Sequence, residues 1–316
     1  MNPSWSHAVG LVIGYGVDAL FGDPPTWHPV SGFGRIADTL EARMYADRRV
    51  AGSTYLAMLV GATAASGACL DRATRPCPAL NCAVTALATW TVLGGRSLGR
   101  EATLVGGHLR LGDLPAAREQ VTHLVGRDPS RLGGDEITRA TVESVAENTS
   151  DAVVAPLFWG GVAGPAGLLG YRAVNTLDAM VGHRTPRHRN FGWAPARFDD
   201  VVNLVPARLS ALLVVAAAPV VGGRPRQAVA AWCIDSAHHP SPNAGPVEAA
   251  FAGALGITLG GVNVYGDVLE DRGTLGSGPA ATPGDISRAV RLGNVVGLGA
   301  LSVAAFAAIA RQRRRR

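Results

Sequence analysis

The segment AGSTYLAMLVGATAASGACL (Ala51–Leu70) is followed closely by PCPALNCAVTALATWTVLGG (Pro76–Gly95), and neither contains a charged residue. A transmembrane helix needs about 20 consecutive, mostly apolar residues. Both segments reach that length, and only the polar stretch Asp71–Arg75 separates them. We therefore expect two membrane helices joined by a tight turn.

Four further apolar runs are less regular. Ala152–Gly170 is uncharged but has glycines at its middle, so it either spans the membrane or turns back as a broken helix. Leu209–Gly223 is short for a full crossing, and Leu292–Ala310 is long enough. Val9–Phe21 is a weak first segment because an aspartate interrupts it. If every run crossed, the polar segments would alternate between the two sides. We therefore expect Ala152–Gly170, Leu209–Gly223, or both, not to cross as simple helices.

The composition supports a membrane protein. The hydrophobic fraction is 47%, the charged fraction is 17%, mean hydropathy is +0.18 and there are 40 glycines. Small side chains let helices approach closely in lipid. We predict an all-α, polytopic integral membrane protein, with one membrane-embedded domain over 1–316 and polar segments at 96–151, 175–208 and 224–291. The first polar segment shows helical periodicity, and the other two are expected to be mostly loops with short helices. No alternating strand pattern stands out.

The absence of lysine and the distribution of the charged residues exclude several classes of function. All 29 basic residues are arginine, so a Walker A loop and a pyridoxal Schiff base, which both need lysine, are excluded. The basic residues are scattered among acidic ones, and we predict no nucleic-acid partner. The arginine-rich tail Arg311–Arg316 is expected in the cytoplasm; the alternative is a basic tail with no further role. The four cysteines show no metal-ligand spacing and are read as small apolar residues.

An acidic series forms the first candidate site. Glu136, Glu143, Glu147 and Asp151 recur at about one or two helical turns, so they share one helix face. Such a face is often simply solvated. Here the series adjoins an apolar run, and carboxylates at the edge of a membrane segment are better explained by Mg²⁺ or a polar substrate. Asp135 is read as the cap of this helix.

The second candidate site is rich in arginine. Arg172, Asn175 and Asp178 precede a loop with several arginines and histidines, which suits phosphate or carboxylate binding. Simple polar contacts between helices are the alternative for Asn175 and Asp178. Asp199 and Asp200 are read alternatively as helix caps.

The third candidate site is a stiff loop, HHPSPNAGP (His238–Pro246), followed by Glu248. Proline-rich loops often present polar groups to a ligand. The glycine pair Gly260–Gly261 would permit close approach to a phosphate, with an ordinary turn as the alternative. A fourth polar element, Asp18–Val30, places carboxylates and a histidine beside an apolar run.

Six motifs carry a resemblance that covers nearly the whole chain. In order, they are GDPPTWHPV (Gly22–Val30), HLVGRDPS (His123–Ser130), ESVAENTSDAVVAPLFW (Glu143–Trp159), YRAVNTLDAMVGH (Tyr171–His183), FGWAPARFDDVVNLVPARL (Phe191–Leu209) and HPSPNAGPVEAAFAGALGITLGG (His239–Gly261). Together they resemble the CobD/CbiB family of cobalamin biosynthesis.

The resemblance implies a membrane-associated adenosylcobinamide-phosphate synthase. Such an enzyme is an ATP-dependent ligase that joins (R)-1-aminopropan-2-ol, or its O-phosphate, to the free propionate of adenosylcobyric acid. The implied cofactors are ATP and Mg²⁺. The implied partners are these two substrates, the lipid bilayer and other late enzymes of the pathway. The implied location is the cell membrane.

The chemistry of that reaction suggests roles for residues of the three candidate sites. A carboxylate needs activation, for example as an acyl phosphate, before an amine can attack it. Mg²⁺ ligands are assigned to Glu143, Glu147 and Asp151. The nucleotide or cofactor contacts are Arg172, Asn175, Arg184, Arg189 and Asn243. The catalytic set is Glu143, Glu147, Asp178, His188 and His239, with either histidine as acceptor of the amine proton.

Two other classes of function remain open at this point. Broken helices with acidic residues at the membrane edge also fit a corrinoid-binding or transport protein without catalysis. A structural subunit that holds pathway enzymes at the membrane is the third alternative. The long polar segments argue against a pure carrier, because a carrier concentrates its polar groups near the midplane.

Overall fold

A computed structural model describes residues 5–23, 28–126, 128–183, 185–265 and 268–314; the side chains of 263–265 and 268–270 are not described. Helices make up most of the described chain, which confirms the prediction of an all-α protein. They are α1 (Ser6–Phe21), α2 (Pro29–Met44), α3 (Arg49–Thr74), α4 (Pro78–Val92), α5 (Gly95–Arg110), α6 (Leu114–Val121), α7 (Gly134–Thr149), α8 (Ala155–Ala163), α9 (Pro165–Val181), α10 (Trp193–Ala217), α11 (Pro225–Asp235), α12 (Ala244–Leu255) and α13 (Pro283–Arg314).

Three helices of the described chain are long and apolar enough to cross a membrane. They are α3, α13 and the 29-residue stretch Trp193–Val221, in which a 3₁₀ turn extends α10. Helix α1 is apolar but shorter. These spans confirm the predicted membrane protein. The prediction that Leu209–Gly223 is too short for a full crossing was wrong. This run continues a helix that begins at Trp193, and the combined helical segment is long enough to cross.

The second of the two opening segments was also predicted wrongly. The first, Ala51–Leu70, lies within α3 as expected. Helix α4 spans only 15 residues of Pro76–Gly95, about 23 Å at 1.5 Å per residue. Its start is set by Pro78 and its end by Leu93, whose extended backbone stops the helix. Helix α4 is therefore short for a full crossing.

The run Ala152–Gly170 is a broken helix, one of the two forms predicted for it, and whether it crosses the membrane stays a prediction. A π-helical turn over Ser150–Val154 leads into α8, which has nine residues. Gly164 then adopts a φ of 71°, a left-handed conformation that favours glycine, and α9 starts at the next residue. The break has a local cause in the sequence, namely the Gly-Pro pair.

Glycines let helices of the membrane region approach closely, as the composition predicted. Gly10 and Gly14 of α1 face α4; a Cβ on Gly14 would lie 2.5 Å from the Ala86 carbonyl oxygen. Gly67 of α3 faces the start of α9 in the same way, with a Cβ placed 2.7 Å from the Pro165 carbonyl. Larger residues at these positions would push the helices apart.

The polar segment 96–151 is helical, as predicted, with one correction to its caps. Asp113 caps α6 by accepting a hydrogen bond from the Ala116 amide at 3.1 Å. The cap of α7 is formed by Gly133, whose amide donates to Glu136 at 2.8 Å. The prediction that Asp135 caps this helix was wrong, because the helix begins one residue earlier.

The other polar segments are more ordered than predicted. Helices α9 and α10 occupy much of 175–208. Within 224–291 the chain forms α11, α12 and an antiparallel hairpin of β1 (Leu259–Tyr265) and β2 (Val268–Leu275). The hairpin was missed. A bulge interrupts its register between Gly260 and Val262, and glycines with positive φ occur there because a bulge demands that conformation.

The described chain divides into two compact units, each assembled from separated stretches. Unit 1 comprises Met1–Gly94, Ala155–Asn203 and Ala300–Arg316; unit 2 comprises Gly95–Val154 and Leu204–Gly299. A core of unit 1 forms around Tyr55 and Phe191, whose ring centroids are 5.1 Å apart. A core of unit 2 forms where α5, α6 and α7 meet. The single membrane-embedded domain stays a prediction.

Candidate functional site

Glu143, Glu147 and Asp151 lie along one helical segment of unit 2. Helix α7 carries the two glutamates one turn apart, and the π-helical turn after it carries Asp151. Glu143 is buried, whereas Glu147 and Asp151 are half-buried. Single π-helical turns within longer helices frequently occur at functional sites. The segment thus presents two partly accessible carboxylates at a local irregularity of the helix.

Glu143 ties α7 to the hairpin. Its carboxylate accepts a hydrogen bond from the Gly260 amide at 2.8 Å, and the Nε of Arg139 lies 3.8 Å from it. Arg139 also donates to the Gly260 carbonyl oxygen through Nη1. One carboxylate and one guanidinium therefore hold both polar groups of the same glycine. The predicted approach of a phosphate to this glycine stays a prediction.

Glu248 is a buried acidic residue that sequence reasoning noted but did not assign. It is fully buried in α12, with its Oε1 3.7 Å from both His239 Nε2 and Arg272 Nη1. The Nδ1 of His239 accepts a hydrogen bond from the Ser241 amide at 3.1 Å. Both ring nitrogens point at protein groups, so this arrangement does not favour His239 as the amine base.

Asn243 is held by an arginine to which no role had been assigned. Arg208 Nη1 donates to Asn243 Oδ1 at 3.0 Å and to the Pro242 carbonyl at 2.8 Å. The Ser241 hydroxyl accepts from the Ala244 amide at 3.1 Å and so begins α12. Hydrogen bonds from Arg208 hold two residues of this loop, and its predicted stiffness stays a prediction.

In unit 1, the predicted residues of α9 lie beside a carboxylate of α10. Arg172 Nη1 is 3.5 Å from Asn175 Oδ1. The Asn175 side chain hydrogen-bonds to the carboxyl group of Asp199, and the Asp178 carboxylate interacts with it electrostatically. The capping alternative for Asp199 and Asp200 was wrong, because α10 begins at residue 193. A pair of acidic residues therefore meets between two helices.

The loop between α9 and α10 carries the predicted His188 and Arg189. The Nε2 of His188 lies 3.1 Å from Glu41 Oε1, and Arg187 Nη2 donates to the same oxygen at 3.0 Å. His188 and Arg189 help to line a cavity of about 110 Å³, together with His183. The glutamate comes from α2, far away in sequence, and no local pattern predicted it.

Two predicted elements lie partly outside the described residues. They are Arg184 and the stretch 24–27 within the first motif. Beyond that stretch, His28 caps α2 through its Nδ1, which accepts from the Val30 amide at 3.1 Å, and its Nε2 lies 3.5 Å from Asp23. The described part of this motif thus serves to begin a helix.

The second motif ends in an exposed acidic turn. The amide and the hydroxyl of Ser130 each donate to the Asp128 carboxylate at 2.9 Å. These hydrogen bonds, the backbone one first, lower the pKa of Asp128 because they stabilise its charged form. This aspartate is therefore ionised at neutral pH.

No group of three or more His, Cys, Asp or Glu side chains in the described chain is arranged to hold a metal ion. That finding excludes a preformed zinc-like cage over the residues described. It does not test a magnesium site, since Mg²⁺ usually takes one or two carboxylates and completes its shell with water and substrate phosphates. The assignment of Mg²⁺ to Glu143, Glu147 and Asp151 stays a prediction.

A buried polar network in unit 1 was not anticipated at all. Asp71 accepts from His7 Nε2 at 2.6 Å, from Arg75 Nη2 at 2.9 Å and from Asn81 Nδ2 at 3.1 Å. Arg311 Nη2 donates to His7 Nδ1 at 2.6 Å. Because arginine is only a donor, His7 is neutral and carries its proton on Nε2. The first tail arginine is therefore part of α13 and of this network; the helix continues through residue 314.

The amino-acid sequence is similar to a known protein family and to several named proteins. The model of the CobD/Cbib protein family matches residues 11–293. The chain is 52% identical to the Mycobacterium tuberculosis (strain CDC 1551 / Oshkosh) protein named "Cobalamin biosynthesis protein CobD", over 95% of each chain. Proteins of the same name from Geobacter metallireducens and Rhodobacter capsulatus are 46% identical over 79% of this chain and 80% of theirs, and 39% identical over 91% and 93%. No solved structure matches the chain.

Proposed function

Since the chain belongs to the CobD/CbiB family, we propose that it is the membrane-bound ligase that completes the side chain of the corrin in cobalamin biosynthesis. In this reaction, (R)-1-aminopropan-2-ol or its O-phosphate attacks the free propionate of adenosylcobyric acid. The product is adenosylcobinamide or its phosphate, and ATP is the energy source. The bond that forms is an amide.

The observation that carries this proposal is the family match across nearly the whole chain. The relatives' name supports a role in cobalamin biosynthesis, and the matched region includes all three candidate sites. The three candidate spans support a membrane location. We further propose the cell membrane, with the arginine-rich end of α13 on the cytoplasmic side, where the nucleotide is available.

Carboxylates of α7 and its π-helical turn suit the Mg²⁺ that would accompany ATP. Glu147 and Asp151 are half-buried, whereas one oxygen of Glu143 is already engaged by the Gly260 amide. We therefore assign the metal chiefly to Glu147 and Asp151, with Glu143 fixing the segment that carries them. A magnesium ion held there would neutralise charge on the phosphates.

Arginines and one histidine supply the remaining chemistry. Arg172 and Arg189 would bind carboxylate or phosphate groups, since guanidinium pairs with both in bidentate geometry. His188 is the better-placed acceptor of the amine proton. Its side chain is partly exposed and helps to line a cavity, and Glu41 fixes its Nε2. His239 is buried, with its Nε2 3.7 Å from the Glu248 carboxylate.

The decisive experiment is a turnover assay with the purified protein in detergent. Adenosylcobyric acid, ATP, Mg²⁺ and either aminopropanol or its phosphate are supplied, and ADP and the amide product are followed. Release of ADP that depends on both substrates supports a ligase. Corrinoid binding without any ATP consumption would instead support the non-catalytic alternative.

The substitution Glu147→Gln tests the metal assignment. We expect it to abolish product formation while the protein stays folded, because an amide is a poor magnesium ligand. The matched control is Glu136→Gln on the same helix, where a glutamine still caps the Gly133 amide and activity should persist. Full activity in the Glu147 variant would refute the metal role.

A further inference from the structure

Four helix ends of unit 1 meet around the buried carboxylate of Asp71. The ring of His7, at the start of α1, hydrogen-bonds both to Asp71 near the end of α3 and to Arg311 near the end of α13. Asn81, at the start of α4, donates to Asp71 as well. Helices α3 and α13 are two of the candidate membrane spans. These contacts therefore place the ends of two spans side by side.

Arginines that reach solvent surround this buried cluster. Arg72 lies on the last turn of α3, and Arg313 and Arg314 lie on the last turn of α13; all three are exposed. Arg75 follows directly after α3, and half of its side chain is exposed while it donates to Asp71. We call Arg72, Arg75, Arg313 and Arg314 the basic patch. It gathers four guanidinium groups from two spans at one end of unit 1.

Carboxylates of unit 1 do not balance the charge of the basic patch. Asp71 is buried and already accepts hydrogen bonds from three donors. Helices α3 and α4 and the unit 1 part of α13 carry no other acidic residue. On α1, Asp18 lies about 18 Å from the start of the helix at 1.5 Å per residue. A concentration of one sign of charge at such a surface favours an anionic partner.

An exposed apolar surface borders the basic patch. Leu70 of α3, Leu80 of α4 and Phe306 of α13 are 48%, 51% and 76% exposed. Each lies within about two turns of the helix end that belongs to this cluster. Apolar side chains on a span suit lipid acyl chains, and arginines at its end reach the headgroups. A soluble polyanion would leave the apolar side chains uncovered, so the pattern favours a phospholipid.

We propose that the basic patch binds the headgroup phosphates of anionic phospholipids. A guanidinium group pairs with phosphate in bidentate geometry, and each arginine close to an acidic membrane surface strengthens binding about fivefold. The hydrogen bonds among His7, Asp71 and Arg311 hold the two span ends together, so the patch acts as one group of charges. The inference is independent of the ligase reaction. It agrees with the cytoplasmic side proposed for the end of α13, because the cytoplasmic leaflet is the acidic one.

The test is the binding of lipid to the full chain in detergent, without ATP or corrinoid, measured by native mass spectrometry. The probes are phosphatidylglycerol and phosphatidylcholine with the same acyl chains. We expect phosphatidylglycerol to bind the wild type at least about tenfold more tightly than phosphatidylcholine. The triple variant Arg72→Gln, Arg313→Gln, Arg314→Gln should lose at least about tenfold in affinity for phosphatidylglycerol, and its affinity for phosphatidylcholine should change less than about twofold.

A matched control removes the same number of charges elsewhere. Arg100, Arg110 and Arg131 are exposed arginines in the polar segment of unit 2. Their combined replacement by glutamine should leave the affinity for phosphatidylglycerol within about twofold of the wild type. Phosphatidylglycerol should also raise the melting temperature of the wild type, whereas inorganic phosphate at the same concentration should not.

Loss of binding is separable from unfolding and from the ligase. The substituted arginines are exposed, so the triple variant without lipid should melt within about 2 °C of the wild type. The double variant Arg313→Gln, Arg314→Gln leaves α3 intact and should still lose at least about fivefold in affinity. Unchanged affinity in both variants, or an equal loss in the control, overturns the proposal. Equal stabilisation by inorganic phosphate overturns the choice of a lipid. A protein that binds phosphatidylglycerol but makes no amide refutes only the ligase.

Discussion

Replacing Asp71 by alanine removes the central acceptor of the buried network in unit 1. Three donors converge on this carboxylate, from His7, Arg75 and Asn81. Asn81 keeps a second acceptor, the Thr74 hydroxyl at 3.0 Å. Half of the Arg75 side chain is exposed, so its guanidinium can turn to water. The loss therefore falls mainly on His7, which stays buried with a proton on Nε2 and no acceptor.

The expected cost follows from these contacts. Losing a hydrogen bond to a charged acceptor costs about 1.5–3 kcal/mol, and an orphaned buried donor costs about 1–3 kcal/mol. The exposed contact with Arg75 adds less than about 1 kcal/mol. The variant Asp71→Ala should therefore lose about 3–5 kcal/mol, which agrees with the usual effect of breaking a buried pair. Asp71→Asn keeps an oxygen for His7 and should lose roughly half as much.

Thermal unfolding in detergent measures the effect. At about 2–4 °C per kcal/mol, the melting temperature should fall by roughly 6–20 °C for Asp71→Ala. The adjacent Arg72 is exposed and belongs to the same helix, so Arg72→Ala should stay within about 2 °C of the wild type. His7→Ala combined with Asp71→Ala should cost less than the sum of the two single changes. A melting temperature of Asp71→Ala within 2 °C of the wild type would refute the reasoning.

Three further predictions concern other positions. Glu248→Ala should destabilise the protein by about 3 kcal/mol, because it leaves the half-buried Arg272 and the buried His239 without the carboxylate that lies 3.7 Å from each; an unchanged melting temperature would contradict this. Gly164→Ala should cost about 1–2 kcal/mol, since φ is 71° and the new Cβ would lie 2.6 Å from the Arg311 guanidinium; a gain in stability would show that the break tolerates a side chain. Glu143→Gln should speed proteolytic cleavage within the hairpin about tenfold, because it weakens the link between α7 and β1; equal cleavage rates would show that other contacts hold the hairpin.

The membrane helices could be predicted because hydropathy and length act locally. Ala51–Leu70 and Leu292–Ala310 lie inside α3 and α13, and the Gly-Pro pair at 164–165 broke its helix as expected. Helix ends were less predictable. The stretch before Leu209 contains polar residues, yet it is helical and forms the first part of α10. The helix propensity of its residues favours one continuous helix.

Long-range contacts set the limits of prediction for the candidate site. The helical spacing of Glu143 and Glu147 was readable from the sequence, but the link from Glu143 to Gly260 spans 117 positions. The pairing of His7 with Asp71 likewise joins residues 64 apart. The hairpin was missed because its strands contain glycines and polar residues, and their pairing is stabilised by contacts with α11 and α12 rather than by an alternating pattern.

The interleaved connectivity of the two units has a consequence for biosynthesis. The last stretch of unit 1, Ala300–Arg316, follows its first stretch, Met1–Gly94, only after some 205 intervening positions. At about 5–20 residues per second, a ribosome needs roughly 10–40 s to deliver it. During that interval the early helices must wait in the bilayer with His7 and Asp71 lacking the arginine that completes their cluster. Chaperoning by the insertion machinery during this pause, rather than the final fold alone, is then expected to govern how much functional protein a cell obtains.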